Sequence, residues 1–78
     1  MQLAELVEIM VKAMVDDPDS VKVRELQGGS SSLIELRVTK SDIGRVIGKR
    51  GQNVEALRVI LSAVAAKLKR RAVLDLID

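Results

Sequence analysis

The nine residues Val46-Ile47-Gly48-Lys49-Arg50-Gly51-Gln52-Asn53-Val54 constrain this chain more than any other stretch, because two cations stand between two glycines with apolar residues on both flanks. The flanks have to be buried and Lys49 and Arg50 have to stay in water, so the backbone must turn sharply between them. Gly48 and Gly51 carry no Cβ, which opens backbone angles closed to other residues and lets a phosphate chain approach closely. Upstream, Ser41 is a helix-capping residue, and Ile43, Val46 and Ile47 follow at the spacing of one short helical face. Downstream, Gln52 to Arg71 contains no glycine or proline, room for about five turns of helix. The stretch predicts a tight cationic joint between two helices.

The rest of the chain supplies what these helices pack on. Residues 3 to 15 place Leu3, Leu6, Val7, Met10, Val11 and Met14 on one helical face, with Glu5, Glu8 and Lys12 opposite. Asp16-Asp17-Pro18-Asp19-Ser20 ends that helix, since Pro18 disfavours helix at Asp17 and has no N–H to donate. This acidic cluster lacks the ligand spacing and glycine of a calcium loop and reads as a solvated turn. Val21-Lys22-Val23-Arg24 and Ile34-Glu35-Leu36-Arg37-Val38-Thr39 alternate apolar with polar, as strands with one buried face do, and Lys22, Arg24 and Arg37 then solvate the open face. Gln27 to Ser32 reads as a flexible hairpin loop, and Ala72 to Ile77 as a third strand.

Wound at 100° per residue, the long helix carries two apolar stripes. Val54, Leu57, Leu61, Val64 and Leu68 form one, which faces the sheet; Ala56, Val59, Ile60, Ala63 and Ala66 form the other. A helix apolar on two sides needs two partners. Either the leading helix covers the second stripe, or a second chain does, in which case those five residues are a dimer interface.

A single domain spanning residues 1–78 is the most this length allows, and one small core supplies only about 3–5 kcal/mol, which favours a partner. Cysteine is absent, which excludes disulfides and thiolate metal sites; no signal peptide or long apolar run is visible, so a cytoplasmic location without membrane contact is expected. Histidine is absent as well. Residues 1–20 hold one Lys against five acids and residues 21–78 hold twelve Lys or Arg against six, giving −4 and +6. That asymmetry suits a polyanion on one side of the molecule, and equally an ordinary solvated surface.

Catalysis finds no footing. Gly44 to Arg50 is one residue short of a nucleotide-binding P-loop and has Arg50 where its hydroxyl belongs. The serines sit in a glycine loop without a base, and the acids cluster at a turn, so neither a nucleophile nor an acid–base pair emerges. A non-enzyme without cofactor or metal is expected.

Val46 to Val54 fits, at every defined position, the hydrophobic-Ile-Gly-x-x-Gly-x-x-hydrophobic segment of the KH domain family of RNA-binding modules, and the chain resembles that family over nearly its whole length. The resemblance implies an α+β fold of the type II arrangement, helix-strand-strand-helix-helix-strand, with a three-stranded sheet and helices packed on one face. It implies that Gly48, Lys49, Arg50 and Gly51 clamp the backbone of single-stranded RNA, as Gly-x-x-Gly loops of this family do for about four nucleotides. The bases would lie along Ile43, Val46, Ile47, Val54, Ile34, Leu36 and Val38, with Arg45 and Lys40 extending the phosphate path. A homodimeric post-transcriptional regulator or RNA chaperone is implied, with a second KH protein as a further partner. The alternative is a protein–protein dimerisation module that pairs through the long helix and binds little RNA.

Overall fold

In the computed structural model, which describes residues 2–78, helix α1 spans Leu3–Lys12, strands β1 and β2 span Lys22–Gly28 and Ser31–Arg37, helices α2 and α3 span Lys40–Ile47 and Gln52–Lys67, and strand β3 spans Arg71–Leu76. The order is the expected one, an α+β chain with a three-stranded sheet.

The sheet runs β1-β2-β3, with β1 and β2 antiparallel and β2 and β3 parallel. Register puts Val23 opposite Leu36 and Glu25 opposite Ile34, and aligns Ile34 with Leu74. Side chains alternate across a strand, so Ile34, Leu36 and Leu74 face the helices while Lys22, Arg24 and Arg37 point to solvent on the open face. Against the covered face pack Leu3, Val7 and Val11 of α1, Val46 of α2, and Val54, Leu57, Leu61 and Ala65 of α3.

Several boundaries differ from expectation, each for a local reason. Helix α1 stops at Lys12 rather than residue 15, because the amides of Asp16 and Asp17 are taken by a carboxylate of α2; Met14 and Val15 still pack against the core. The expected loop from Gln27 to Ser32 is nearly all strand: Gln27 pairs with Ser32 and Gly28 with Ser31, leaving only Gly29 and Ser30 to turn. Gly29 takes the positive φ, 58°, that such a two-residue hairpin needs at its first position. Helix α2 is entered from Thr39, not Ser41, and α3 ends four residues before Arg71. That earlier end moves Leu68 out of the core stripe into solvent, and Ala65 takes the buried position instead. Strand β3 accordingly starts one residue before Ala72.

Candidate nucleic-acid interface

Asp42 anchors the start of α2, a role that sequence reading missed. Its side chain is only 1% exposed. The backbone N–H of Asp16 donates to Oδ1 at 3.1 Å, that of Asp17 to Oδ2 at 3.0 Å, and the Thr39 hydroxyl to Oδ2 at 3.1 Å. Burial pushes this carboxyl up, but the two amides, the hydroxyl and the nearby Arg45 guanidinium together outweigh it and hold the pKa below its ordinary 3.8. One carboxylate thereby ties the start of α2 to the connection leaving α1. The position of Asp42 three residues after Thr39, a capping spacing, was the signal available in the sequence.

Arg45 leans back onto this anchor, 3.3 Å from Asp42 Oδ1 and 2.7 Å from Asp16 Oδ2. Its expected place on a phosphate path is thus shared with two acids. Among the described residues, neither Lys49 nor Arg50 takes part in an ion pair, and both are exposed, as is Lys40 at the start of α2.

The loop itself is set by unusual backbone angles. Gly48 lies at φ 75°, ψ 174°, a conformation almost confined to glycine, and a Cβ built there would fall 2.5 Å from Asn53 Cγ. Arg50 (φ 58°, ψ 25°) and Gly51 (φ 75°, ψ 13°) are left-handed, and Gly51 N–H closes a turn onto Gly48 O at 3.1 Å. Helix α3 begins immediately afterwards, so the partial positive charge of its amino terminus adds to that of the two cations. Asn53, in the first turn of α3, donates from Nδ2 to the Arg45 carbonyl at 2.8 Å. Nothing in the one-dimensional pattern marks that bond.

The expected base groove divides in two. Ile34, Leu36, Val46 and Val54 are committed to the core and offer a base almost no surface, because the helix face of the sheet and the inner faces of α2 and α3 close over them. Ile43 is half-buried and Ile47 is 38% exposed, so these two are the apolar surface that α2 leaves open toward the loop, while half-buried Val38 lies before the start of that helix.

On the other side of α3, Ala56, Val59, Ile60, Ala63 and Ala66 are all exposed, Val59 at 62% and Ile60 at 45%. Helix α1 does not cover them. Between α1 and α3 an open apolar groove of about 430 Å³, lined by Met10, Met14, Leu57 and Ile60 among others, continues this stripe.

A mixed three-stranded sheet covered on one face by helices, with a Gly-x-x-Gly turn joining the second and third of them, defines a KH domain. The profile of the KhpA/KhpB KH domain matches residues 4–76, and the chain belongs to that family. It is 51% identical over 73 residues to the RNA-binding protein KhpA of Halalkalibacterium halodurans, covering 94% of this chain and 96% of that protein. To the RNA-binding protein KhpA of Borreliella burgdorferi it is 46% identical over 74 residues, covering 95% and 90%. Among solved structures, an Era variant from Aquifex aeolicus bound to GDP.AlF4- superposes with a TM-score of 0.65 at 22% identity. That likeness takes in 95% of this chain but only 29% of the Era chain, and it concerns the fold alone. No helix among the described residues is long and apolar enough to cross a membrane.

Proposed function

We propose that the protein binds single-stranded RNA without catalysis, holding the phosphates at Gly48, Lys49, Arg50 and Gly51 and laying bases against Ile43 and Ile47. The observation that carries this reading is the pair of exposed cations, without acidic partners among the described residues, on a loop bent by positive φ at the amino terminus of α3. Membership of a family whose relatives are named RNA-binding proteins supports it. Lys40 extends the phosphate path from the start of α2, and Arg45 contributes to it more weakly, being shared with Asp16 and Asp42. Val54 acts from beneath, as core under the loop. The chain contains no Phe, Tyr or Trp, so base stacking worth about 1–3 kcal/mol per base is missing and affinity is modest. Such a binder suits an RNA chaperone or post-transcriptional regulator in the cytoplasm.

The protein pairs with a second copy, or with a KhpB partner, through Ala56, Val59, Ile60, Ala63 and Ala66. Their exposure favours this, and it equally favours the alternative in which pairing is the main task and RNA binding minor.

Titration of labelled single-stranded RNA into wild type and the Lys49→Asp/Arg50→Asp variant, at several salt concentrations, separates the two. The variant keeps both glycines and therefore the turn. If the loop holds phosphates, binding weakens for all sequences alike and the log–log salt slope falls by roughly 0.7 for each phosphate no longer neutralised. Unchanged affinity and slope in a folded variant leave the pairing module as the better reading.

A further inference from the structure

Helix α2 ends at Ile47, which leaves carbonyls of its last turn without partners inside the helix. Gly44 O is met by the next amide in line, Gly48 N–H, at 2.9 Å. Arg45 O is met instead by a side chain from the following helix, Asn53 Nδ2 at 2.8 Å. This bond spans residues 45 to 53 and closes a ring around the whole Gly48–Gly51 turn. The same side chain also occupies the space beside Gly48: an atom added at its Cβ position would lie 2.5 Å from Asn53 Cγ and 2.7 Å from Nδ2. One amide therefore caps α2 and packs on the first glycine of the loop.

Besides Asn53, the turn is held by backbone bonds, Gly51 N–H to Gly48 O at 3.1 Å and Gln52 N–H to Lys49 O. Three of its four residues sit at positive φ, two of them glycines with wide conformational freedom. Among the described residues no other side chain hydrogen-bonds to the backbone of residues 44–51. A loop free to wander would have to be ordered each time it met a phosphate chain, and that entropy would be subtracted from affinity.

We propose that Asn53 is a positioning residue for RNA binding, a latch that fixes the Gly48–Gly51 turn so that Lys49 and Arg50 meet phosphates already in place. It acts through the loop and not by touching RNA, and it rests on the reading of that loop as the phosphate-binding element. The chemistry asks for an amide here: a donor is needed toward Arg45 O, and an aspartate of the same shape would set an oxygen against that carbonyl.

The test is a cycle of four proteins, wild type, Asn53→Ala, Lys49→Asp/Arg50→Asp and the triple variant, each titrated with the same fluorescein-labelled single-stranded RNA of mixed sequence at several salt concentrations. Circular dichroism and light scattering monitor fold and oligomeric state. Asn53→Ala is expected to weaken binding about three- to ten-fold, the size of one missing hydrogen bond, and to make the salt slope shallower. In the charge-reversed background the same change is expected to do nothing further, because there are no loop cations left to present. Asn53→Leu keeps bulk beside Gly48 and deletes the donor; it is expected to weaken binding too, and it supplies the comparison if the alanine variant loses its fold. Lower thermal stability with affinity and slope intact overturns the latch and leaves the loop reading standing. Equal weakening in both backgrounds overturns it as well, by showing that Asn53 acts independently of the cations. Unaltered binding in Lys49→Asp/Arg50→Asp removes the loop reading itself, and the latch falls with it.

Discussion

At Gly48 two constraints converge on one missing atom, a backbone angle that other residues avoid and a neighbouring amide 2.5 Å from where a Cβ would sit. Gly51 shares the positive φ but has no heavy atom within 4 Å of its absent Cβ. The two glycines are therefore not equivalent. Gly48→Ala is expected to lower stability by about 2–3 kcal/mol and Gly51→Ala by about 1 kcal/mol, an order readable from urea midpoints. Asp42 makes a second prediction at this scale. Its carboxyl has a pKa held below 3.8 in the folded protein, so the stabilisation is complete above the unfolded value and is lost as pH falls through the folded one. Asp42→Asn is expected to melt at a lower temperature at pH 7, with the gap from wild type closing as the pH drops below about 4. A gap that stays constant between pH 7 and pH 2 would show that the charge of Asp42 contributes nothing.

The carboxyl end of α3 shows why element boundaries are harder to read than elements. Arg70 N–H bonds Ala65 O at 2.8 Å and Lys69 N–H bonds Ala66 O at 3.0 Å, the paired bonds of a Schellman cap, with Lys69 in the left-handed position at φ 58°. Glycine usually fills that position. Here a lysine does, so the sequence through Arg71 looks like uninterrupted helix. What stops it is tertiary: Arg70 reaches across to Ser32 Oγ at 3.0 Å and to the Ser31 carbonyl at 3.0 Å, locking the chain beside β2. Lys69→Gly is expected to stabilise the protein by about 0.5–1 kcal/mol, since it relieves the left-handed strain without breaking an ion pair; thermal denaturation checks it. The Gly-x-x-Gly turn was legible because its glycines and charges are local, and the strands because alternation is local. The Asp42 anchor, the Asn53–Arg45 bond and the Arg70 lock join residues far apart in sequence or across a turn, and no periodicity encodes them. The exposed apolar surface near the loop is smaller than the pattern implies for a related reason, since an apolar residue there, such as Val54, fits the core and a surface equally well in the sequence.

At the scale of the whole molecule, twelve buried apolar residues among those described make up the core, while α3 turns a second apolar stripe to water. A core of this size supplies only about 3–5 kcal/mol, so covering that stripe adds stability that the single chain lacks. Ile60 is the place to test the proposed pairing, because it is 45% exposed and lies where the stripe meets the groove between α1 and α3. In an isolated chain, Ile60→Asp trades a half-exposed apolar residue at the edge of the α1–α3 groove for a charge and should cost about 1 kcal/mol. In a dimer the same aspartate would be buried without a partner, which costs several times that amount or more. The expected outcome is a variant with wild-type helix content that scatters light as a monomer at concentrations where the wild type is a dimer. Its RNA affinity then ranks the two functions: binding retained per chain makes RNA the primary ligand and pairing auxiliary, whereas binding abolished along with the dimer means that two loops are needed on one RNA. A wild type that is monomeric at high micromolar concentration rules the homodimer out, and an Ile60→Asp protein that remains an equally stable dimer places the interface elsewhere; either leaves the second stripe of α3 without the self-pairing argued for it.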